Sequence, residues 1–200
     1  MTILLVRHGE TAGNAARVVQ RPDVPLNELG IHQAARLADR LISLGFAHVL
    51  CSDLPRARMT AAPLRARGDV VIEESPLLQE RNFGDLRGTP YAELTVDPWA
   101  PDYEPPNGES IGAFHRRVAQ AFELIVERRR QRSGSLVVVT HGLVCRAIVE
   151  NHTAGGVAPP QFANTSVTLI DPDPPFAARL VNCTQHLAGD RRDAGIDNRV

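Results

Sequence analysis

Apolar runs and amphipathic stretches alternate along the first 150 residues of the chain. Residues 2–7 contain an unbroken apolar run, which is typical of a strand buried on both faces. Residues 28–44 place apolar side chains at helical spacing, between Asn27 as a cap and Gly45 as a stop. The same patterns predict strands at 47–51, 69–73 and 135–140, and helices at 54–66 (capped by Asp53), at 110–132 and from Gly142 to about 152.

The last part of the chain departs from this alternation. Residues 166–171 and 177–182 predict a hairpin, and the sequence becomes polar and rich in arginine and aspartate from 187 onward. We therefore predict one domain over residues 1–186 and a polar tail over 187–200. Alternating strands and helices predict an α/β fold with a mainly parallel sheet, in which ligands bind beyond the carboxyl ends of the strands.

Composition narrows the choice of partners. The 200 residues have a hydrophobic fraction of 43% and a net charge of −1, so neither a nucleic acid nor a membrane surface is expected as a partner. All 22 basic residues are arginine, which excludes a phosphate-loop lysine and Schiff-base chemistry. A guanidinium group is a planar fork that suits phosphate oxygens.

Cysteine usage and the amino terminus suggest a compartment. Cys51, Cys145 and Cys183 are too few for a disulfide framework, and no pair has the spacing of metal ligands. The apolar run at residues 3–6 is too short for a signal-peptide core or a membrane span. We therefore expect a cytoplasmic protein with no metal and no other cofactor. The sequence does not indicate an oligomeric state.

Two histidines follow buried strands directly. His8 comes after the cation Arg7 and before Gly9, and His141 comes before Gly142 at the end of the strand at 135–140. Because the carboxyl ends of parallel strands open onto one edge of a sheet, we expect the two imidazoles to meet there. A cation, a nucleophilic nitrogen and accessible backbone N–H groups together suit the chemistry of a phosphoryl group.

Four segments in this order resemble the histidine phosphatase superfamily, the group that includes cofactor-dependent phosphoglycerate mutases and many small phosphatases. The segments are Arg7-His8-Gly9, SDLPRARMTA at 52–61, LLQERNFGDLRG at 77–88 and VVVTHG at 137–142. The resemblance covers about residues 2–185. It implies a three-layer α/β/α sandwich of the phosphoglycerate mutase type, formed by a catalytic domain over residues 1–186.

The resemblance also implies roles for individual residues. His8 corresponds to the nucleophile that becomes a phosphohistidine, and Glu80 corresponds to the general acid. Arg7 and Arg56 are candidates for bidentate contacts with the phosphate oxygens, and His141 is the expected donor to the same oxygens. Further substrate contacts are expected from Gly142, Asn14, Gln20 and Arg21.

The sequence departs from the family at two places that bear on substrate. Arg21 stands where relatives have a small residue, so it either narrows the pocket or adds a cation. After Glu80 the chain reaches Thr89-Pro90 quickly and lacks the longer segment, with a lysine, of the mutases. Both the short segment and the short chain favour hydrolysis over mutase activity, because a mutase must exclude water.

The expected function is therefore a metal-independent phosphatase for small phosphorylated metabolites. A cofactor-dependent phosphoglycerate mutase is the nearest alternative, and a catalytically silent module that binds a phospho-ligand or a protein is an alternative of another class. Residues 87–108 are expected to contact the leaving group, although burial under a loop is the simpler expectation for Tyr91, Trp99 and Tyr103. The physiological phosphoester is not indicated.

Overall fold

A computed structural model describes residues 1–66 and 70–188. Its centre is a six-stranded sheet in the order β3-β2-β4-β1-β5-β6. The strands are β1 (Ile3–Arg7), β2 (His48–Ser52), β3 (Val71–Ser75), β4 (Leu136–Thr140), β5 (Val167–Ile170) and β6 (Ala178–Cys183). Strands β1 to β4 are mutually parallel, whereas β5 and β6 form an antiparallel hairpin along β1. The expected α/β fold with a mainly parallel sheet is confirmed.

Helices cover both faces of the sheet. They are α1 (Ala12–Ala15), α2 (Glu28–Leu44), α3 (Pro55–Ala66), α4 (Ile111–Gln131) and α5 (Gly142–His152). Side chains of β1 alternate between two cores: Leu4 and Val6 pack with α2 and α3, whereas Ile3 and Leu5 pack with α4 and α5. The sheet is therefore the middle layer of an α/β/α sandwich, which is why its central strands are apolar on both faces.

Some predicted boundaries were wrong, each for an identifiable reason. Strand β3 ends at Ser75, two residues later than predicted, because Glu74 and Ser75 continue the parallel pairing with β2. Its charged side chains suit an edge strand, since Glu73 pairs with Arg128 and Glu74 pairs with Arg58. The predicted first residue, 69, lies outside the described residues. Asp53 accepts a hydrogen bond from Gln79 (2.8 Å), while α3 begins at proline. The predicted tail lies outside the described residues from position 189 onward.

A close backbone contact fixes the turn after β1 against the start of α2. Asn27 caps α2 as predicted, accepting from the Gly30 N–H at 2.8 Å, while its own N–H donates to the Glu10 carbonyl at 3.0 Å. A β-carbon on Gly30 would lie 2.0 Å from the Glu10 carbonyl oxygen, and one on Gly9 would lie 2.7 Å from the Gly30 oxygen. Both glycines are therefore required by the spacing between turn and helix.

Gly30→Ala should consequently lower the free energy of unfolding by about 2 kcal/mol or more, because backbone would have to move to admit the methyl group. Urea denaturation measures the change. Gly112→Ala is the matched control, since its β-carbon would meet only the end of the Arg116 side chain at 3.5 Å. That control should leave stability unchanged or raise it by up to about 1 kcal/mol. Equal effects of the two substitutions would contradict the packing argument.

Candidate active site

Two parallel strands deliver the candidate residues to one edge of the sheet. Arg7 ends β1 directly opposite Thr140, which ends β4. The His8 N–H continues the pairing by donating to the Thr140 carbonyl at 2.9 Å. The rings of His8 and His141 consequently lie 5.1 Å apart between centroids, at an angle of 58°. The structure thus brings together the two imidazoles that the sequence predicted would meet.

The geometry of His8 defines which ring nitrogen is protonated. Its Nδ1 lies 2.7 Å from the Gly9 carbonyl oxygen, and because a carbonyl only accepts, Nδ1 must donate. The remaining nitrogen, Nε2, is therefore the one with a free lone pair in the neutral ring. Burial, with Arg7 and Arg56 close by, holds the pKa of His8 well below its usual value of 6.5. A neutral imidazole with a free Nε2 is the nucleophilic form.

Two polar contacts hold the turn that carries His8. The Gly9 N–H donates to the Thr60 hydroxyl at 2.9 Å, and that hydroxyl donates to the Arg56 carbonyl at 2.7 Å. From the other side, the Asn164 side chain donates to the His8 carbonyl at 3.0 Å. Thr60 lies in the second family segment, but its residue type alone did not indicate this role.

His141 lies behind His8 and is fully buried. Its Nε2 is 2.8 Å from the Ser52 hydroxyl, and its Nδ1 has no partner among the described residues. Burial and the neighbouring Arg56 hold the pKa of His141 well below its usual value. Its contact with phosphate oxygens stays a prediction. Sequence reasoning missed Ser52, although this serine opens the SDLPRA segment.

Arg7 and Arg56 bring buried positive charge beside His8, each with under a tenth of its surface exposed. Arg7 donates to the Phe162 carbonyl, and Arg56 donates to the carbonyls of Arg21 and Pro22 at 3.2 and 3.3 Å. Burial lowers the pKa of Arg56 to about 10, so it stays protonated at neutral pH.

In both arginines, Nε is buried without a partner among the described residues. The two cations are therefore held by carbonyl dipoles rather than by carboxylates. Their charge remains available to an anion that enters the site.

Glu80 is positioned by two backbone N–H groups. Its Oε1 accepts from Arg81 at 3.0 Å, and its Oε2 accepts from Leu143, in the first turn of α5, at 3.2 Å. Burial raises the pKa of Glu80, although these hydrogen bonds and the nearby arginines oppose the shift. A carboxyl group of this kind can hold a proton at a pH where an exposed glutamate has lost it.

Of the four remaining residues predicted to contact substrate, three line the cleft and one does not. Asn14, Gln20 and Gly142 all lie on the wall of the cleft beside His8. The Asn14 Oδ1 accepts from the N–H and the hydroxyl of Thr11, at 3.2 and 3.1 Å, and so holds the turn. Arg21 is not among the cleft-lining residues, because its guanidinium lies over Gly88, 3.1 Å from the position that a β-carbon would take there.

The cleft that His8, Arg7, Arg56 and Glu80 line has a volume of about 420 Å³. The wall beside the predicted nucleophile and acid includes Tyr91 and Trp99, whose rings meet edge-to-face at 5.4 Å. Tyr91 is 37% exposed and Trp99 is 46% exposed, so the expectation that a loop would bury them was wrong. The Pro-rich segment 97–108 carries Trp99 along the side of the cleft and leaves both rings open to the interior and to solvent.

Arg81 fastens that Pro-rich segment to the site. Its guanidinium is buried and donates to the carbonyls of Pro98, Tyr103 and Glu109 at 2.8, 2.9 and 3.0 Å. Because the N–H of Arg81 also holds Glu80, one residue positions both the candidate acid and the segment beside it. This role was not predicted from the sequence.

Residues 1–66 and 70–188 contain neither a metal-binding cluster nor a membrane-crossing helix. Within these ranges, no three His, Cys, Asp or Glu side chains are grouped so that they could hold a metal ion. None of the helices in the same ranges is both long enough and apolar enough to cross a membrane.

The match to a family model adds to this geometry. The model of the histidine phosphatase superfamily (branch 1) matches residues 3–183. The chain therefore belongs to the histidine phosphatase superfamily.

Relatives carry both mutase and phosphatase names. Phosphoglycerate mutase-like protein 4 of Arabidopsis thaliana is 36% identical over 181 residues, covering 84% of this chain and 78% of that protein. The solved structure of Bacillus stearothermophilus YhfR has a TM-score of 0.80 at 29% identity, covering 93% of this chain and 98% of that one. A mycobacterial glucosyl-3-phosphoglycerate phosphatase in complex with VO3 has a TM-score of 0.77 at 26% identity, covering 92% and 99%.

The environment of His8 predicts its titration. At pH 6.5 an ordinary histidine is half protonated, whereas the His8 ring should be neutral with its proton on Nδ1, because its pKa is lowered. Nitrogen-15 NMR of the imidazoles, assigned with His8→Asn, reports both tautomer and charge. Saturating inorganic phosphate should raise the pKa, because an anion offsets the two arginines. A His8 ring that is protonated at pH 6.5 in free protein would contradict this account.

Proposed function

We propose that the protein is a metal-independent phosphatase that hydrolyses small phosphomonoesters through a phosphohistidine on His8. Membership of the superfamily supports phosphoryl chemistry in general, and the site supports this particular reaction. The observation that carries the proposal is the hydrogen bond from His8 Nδ1 to the Gly9 carbonyl, 2.7 Å long. It leaves Nε2 unprotonated beside Arg7 and Arg56, the two cations that can hold a phosphoryl group.

In the first step, His8 Nε2 attacks phosphorus and forms an N–P bond while the bond from phosphorus to the leaving oxygen breaks. Arg7 and Arg56 offset the charge on the phosphoryl oxygens, and His141 and Asn14 complete the set of donors. Glu80 gives its proton to the leaving oxygen, so the product departs as a neutral alcohol.

In the second step, the Glu80 carboxylate takes a proton from water while the water oxygen attacks phosphorus. The N–P bond breaks, inorganic phosphate leaves and His8 returns to its neutral form. The raised pKa of Glu80 suits both steps, because the same group must first donate and then accept a proton near neutral pH.

Access of water favours hydrolysis over phosphoryl transfer to a second substrate position. A mutase must protect its phosphohistidine from water, whereas this cleft is bordered by two aromatic rings that are more than a third exposed. The short connection between Glu80 and Thr89 supports the same conclusion, since it adds no further cover beside the acid.

His8→Ala should reduce kcat/KM for a phosphomonoester by at least about 10³-fold, because it removes the group that bonds to phosphorus. His115→Ala, an exposed histidine outside the cleft, is the matched control and should retain full activity. Rapid quenching of wild-type protein with labelled substrate should trap an acid-labile, base-stable phosphoprotein that is absent from His8→Ala.

Two further assays of the wild-type protein separate the alternatives. Conversion of 3-phosphoglycerate to 2-phosphoglycerate, dependent on 2,3-bisphosphoglycerate and faster than release of phosphate, would identify a mutase. Phosphate binding without turnover of any phosphoester in a broad panel would identify a silent binding module. Undiminished turnover by His8→Ala would rule out the proposed nucleophile.

The pKa shifts of His8 and Glu80 predict a bell-shaped pH profile of activity. Below the lowered pKa of His8 the nucleophile is protonated, and above the raised pKa of Glu80 the acid has lost its proton, so kcat/KM, which reports the free enzyme, should fall on both sides. Glu80→Gln should reduce kcat by about 10²- to 10⁴-fold and remove the alkaline fall. With a substrate whose leaving group needs no proton, such as an aryl phosphate of low pKa, the first step should recover most of its rate. An unchanged alkaline limb in Glu80→Gln would contradict this assignment.

A further inference from the structure

The cleft contains more positive charge than one phosphoryl group requires. Six arginines line it, at positions 7, 17, 56, 81, 87 and 146, and Glu80 is the one carboxylate among its described lining residues. Two of these cations are already occupied by other groups. Arg81 donates to three carbonyls, and Arg146 pairs with Glu150 at 2.8 Å. With Arg7 and Arg56 assigned to the phosphoryl group, Arg17 and Arg87 remain.

Arg87 is a half-buried cation without a counter-charge. Within residues 1–66 and 70–188, its guanidinium forms no ion pair or hydrogen bond, whereas Arg58, Arg117, Arg128 and Arg179 all pair with carboxylates. Burial lowers the pKa of Arg87, and the charge of Arg87 in turn contributes to the lowered pKa of Arg56. An anion bound at Arg87 would offset the cost of burying this charge without a partner.

Arg17 is carried on the same wall of the cleft by backbone pairing. Val19 is bound on both sides of its peptide: its carbonyl accepts from the Gly88 N–H at 2.7 Å, and its N–H donates to the Thr89 carbonyl at 2.9 Å. The Arg17 carbonyl accepts from the Tyr91 N–H at 2.8 Å, and its guanidinium lies 5.9 Å from the centre of the Tyr91 ring.

The segments 17–19 and 88–91 are thus paired as one wall, with Arg87 immediately before the second segment. A ring face is a weak and partial counter-charge for an exposed guanidinium, so Arg17 also remains available to an anion. Its backbone is in the left-handed region, with φ of 53°, and the turn is held there by these backbone contacts.

We propose that Arg17 and Arg87 bind a second anionic group, a carboxylate or a second phosphate, on the leaving-group side of the substrate. The proposal rests on the assigned phosphoryl position between Arg7, Arg56 and His8. It makes Arg87 the main determinant of specificity, because it is the more buried of the two, and Arg17 a supporting contact nearer to solvent.

The test uses alkyl phosphates of three and six carbons, each ending in a hydroxyl, a carboxylate or a second phosphate. The two lengths cover different reaches across the cleft, and the three ends separate the two anions from an uncharged group. Wild-type kcat/KM should be at least about tenfold higher for one of the anionic ends than for the hydroxyl end at the same length, as expected for one charge-assisted hydrogen bond.

Arg87→Gln should remove that preference while changing kcat/KM for the hydroxyl-ended substrate less than about threefold, since Arg7 and Arg56 still bind the phosphoryl group. Arg17→Gln should give a smaller loss of the same kind. Arg116→Gln, an exposed arginine on α4 outside the cleft, removes the same charge and should preserve the preference. Equal losses on charged and uncharged substrates would show only a general effect of charge and would overturn the proposal.

Binding calorimetry separates failure of this inference from failure of the proposed function. If the wild-type protein hydrolyses none of the compounds, the phosphatase proposal fails, but tighter binding of an anionic end that Arg87→Gln abolishes would still support the second anion site. If hydrolysis proceeds at the same kcat/KM for all three ends at both lengths, the phosphatase stands and the second anion site is excluded.

Discussion

The parallel pairing of β1 with β4 is the interaction on which the site depends. It joins residues more than 130 positions apart in sequence, and its register places Arg7 against Thr140. The two histidines can then follow their strands at the same edge. A shift of one residue would exchange the faces to which β1 presents its side chains, moving Leu4 and Val6 into the other core. The register that buries the apolar side chains correctly therefore also brings His8 to His141.

A second constraint is electrostatic. Arg7 and Arg56 are buried where a carboxylate partner would have been the simplest compensation, yet their hydrogen bonds go to carbonyl oxygens. A carbonyl dipole stabilises a guanidinium without cancelling its charge. Burial, together with this uncancelled charge, keeps the pKa of His8 low and its ring neutral. The same charge that favours the neutral ring of His8 is therefore also available to an anion that enters the cleft.

Much of this arrangement could be predicted from sequence because its signals are local. The buried strands at 2–7 and 135–140 are apolar runs, and the histidines follow them directly. Features set by tertiary contacts could not be predicted. Ser52 is an ordinary strand residue until the pairing of β4 with β2 brings His141 to it, and Arg81 is an ordinary surface cation until three carbonyls surround it. The side chain of Arg21 points to Gly88 because of a backbone pairing that no short motif encodes.

The three hydrogen bonds from Arg81 to main-chain carbonyls have a consequence for which side chains of the cleft can change. Its guanidinium donates to the main-chain oxygens of Pro98 and Tyr103 in the Pro-rich segment and of Glu109 just after it, and every amino acid possesses such an oxygen. The Trp99 side chain takes no part in these three hydrogen bonds, so its replacement should leave them, and the N–H group that Arg81 offers to Glu80, in place. The lining of the cleft at Trp99 can therefore vary in evolution while the position of the Glu80 carboxylate stays the same.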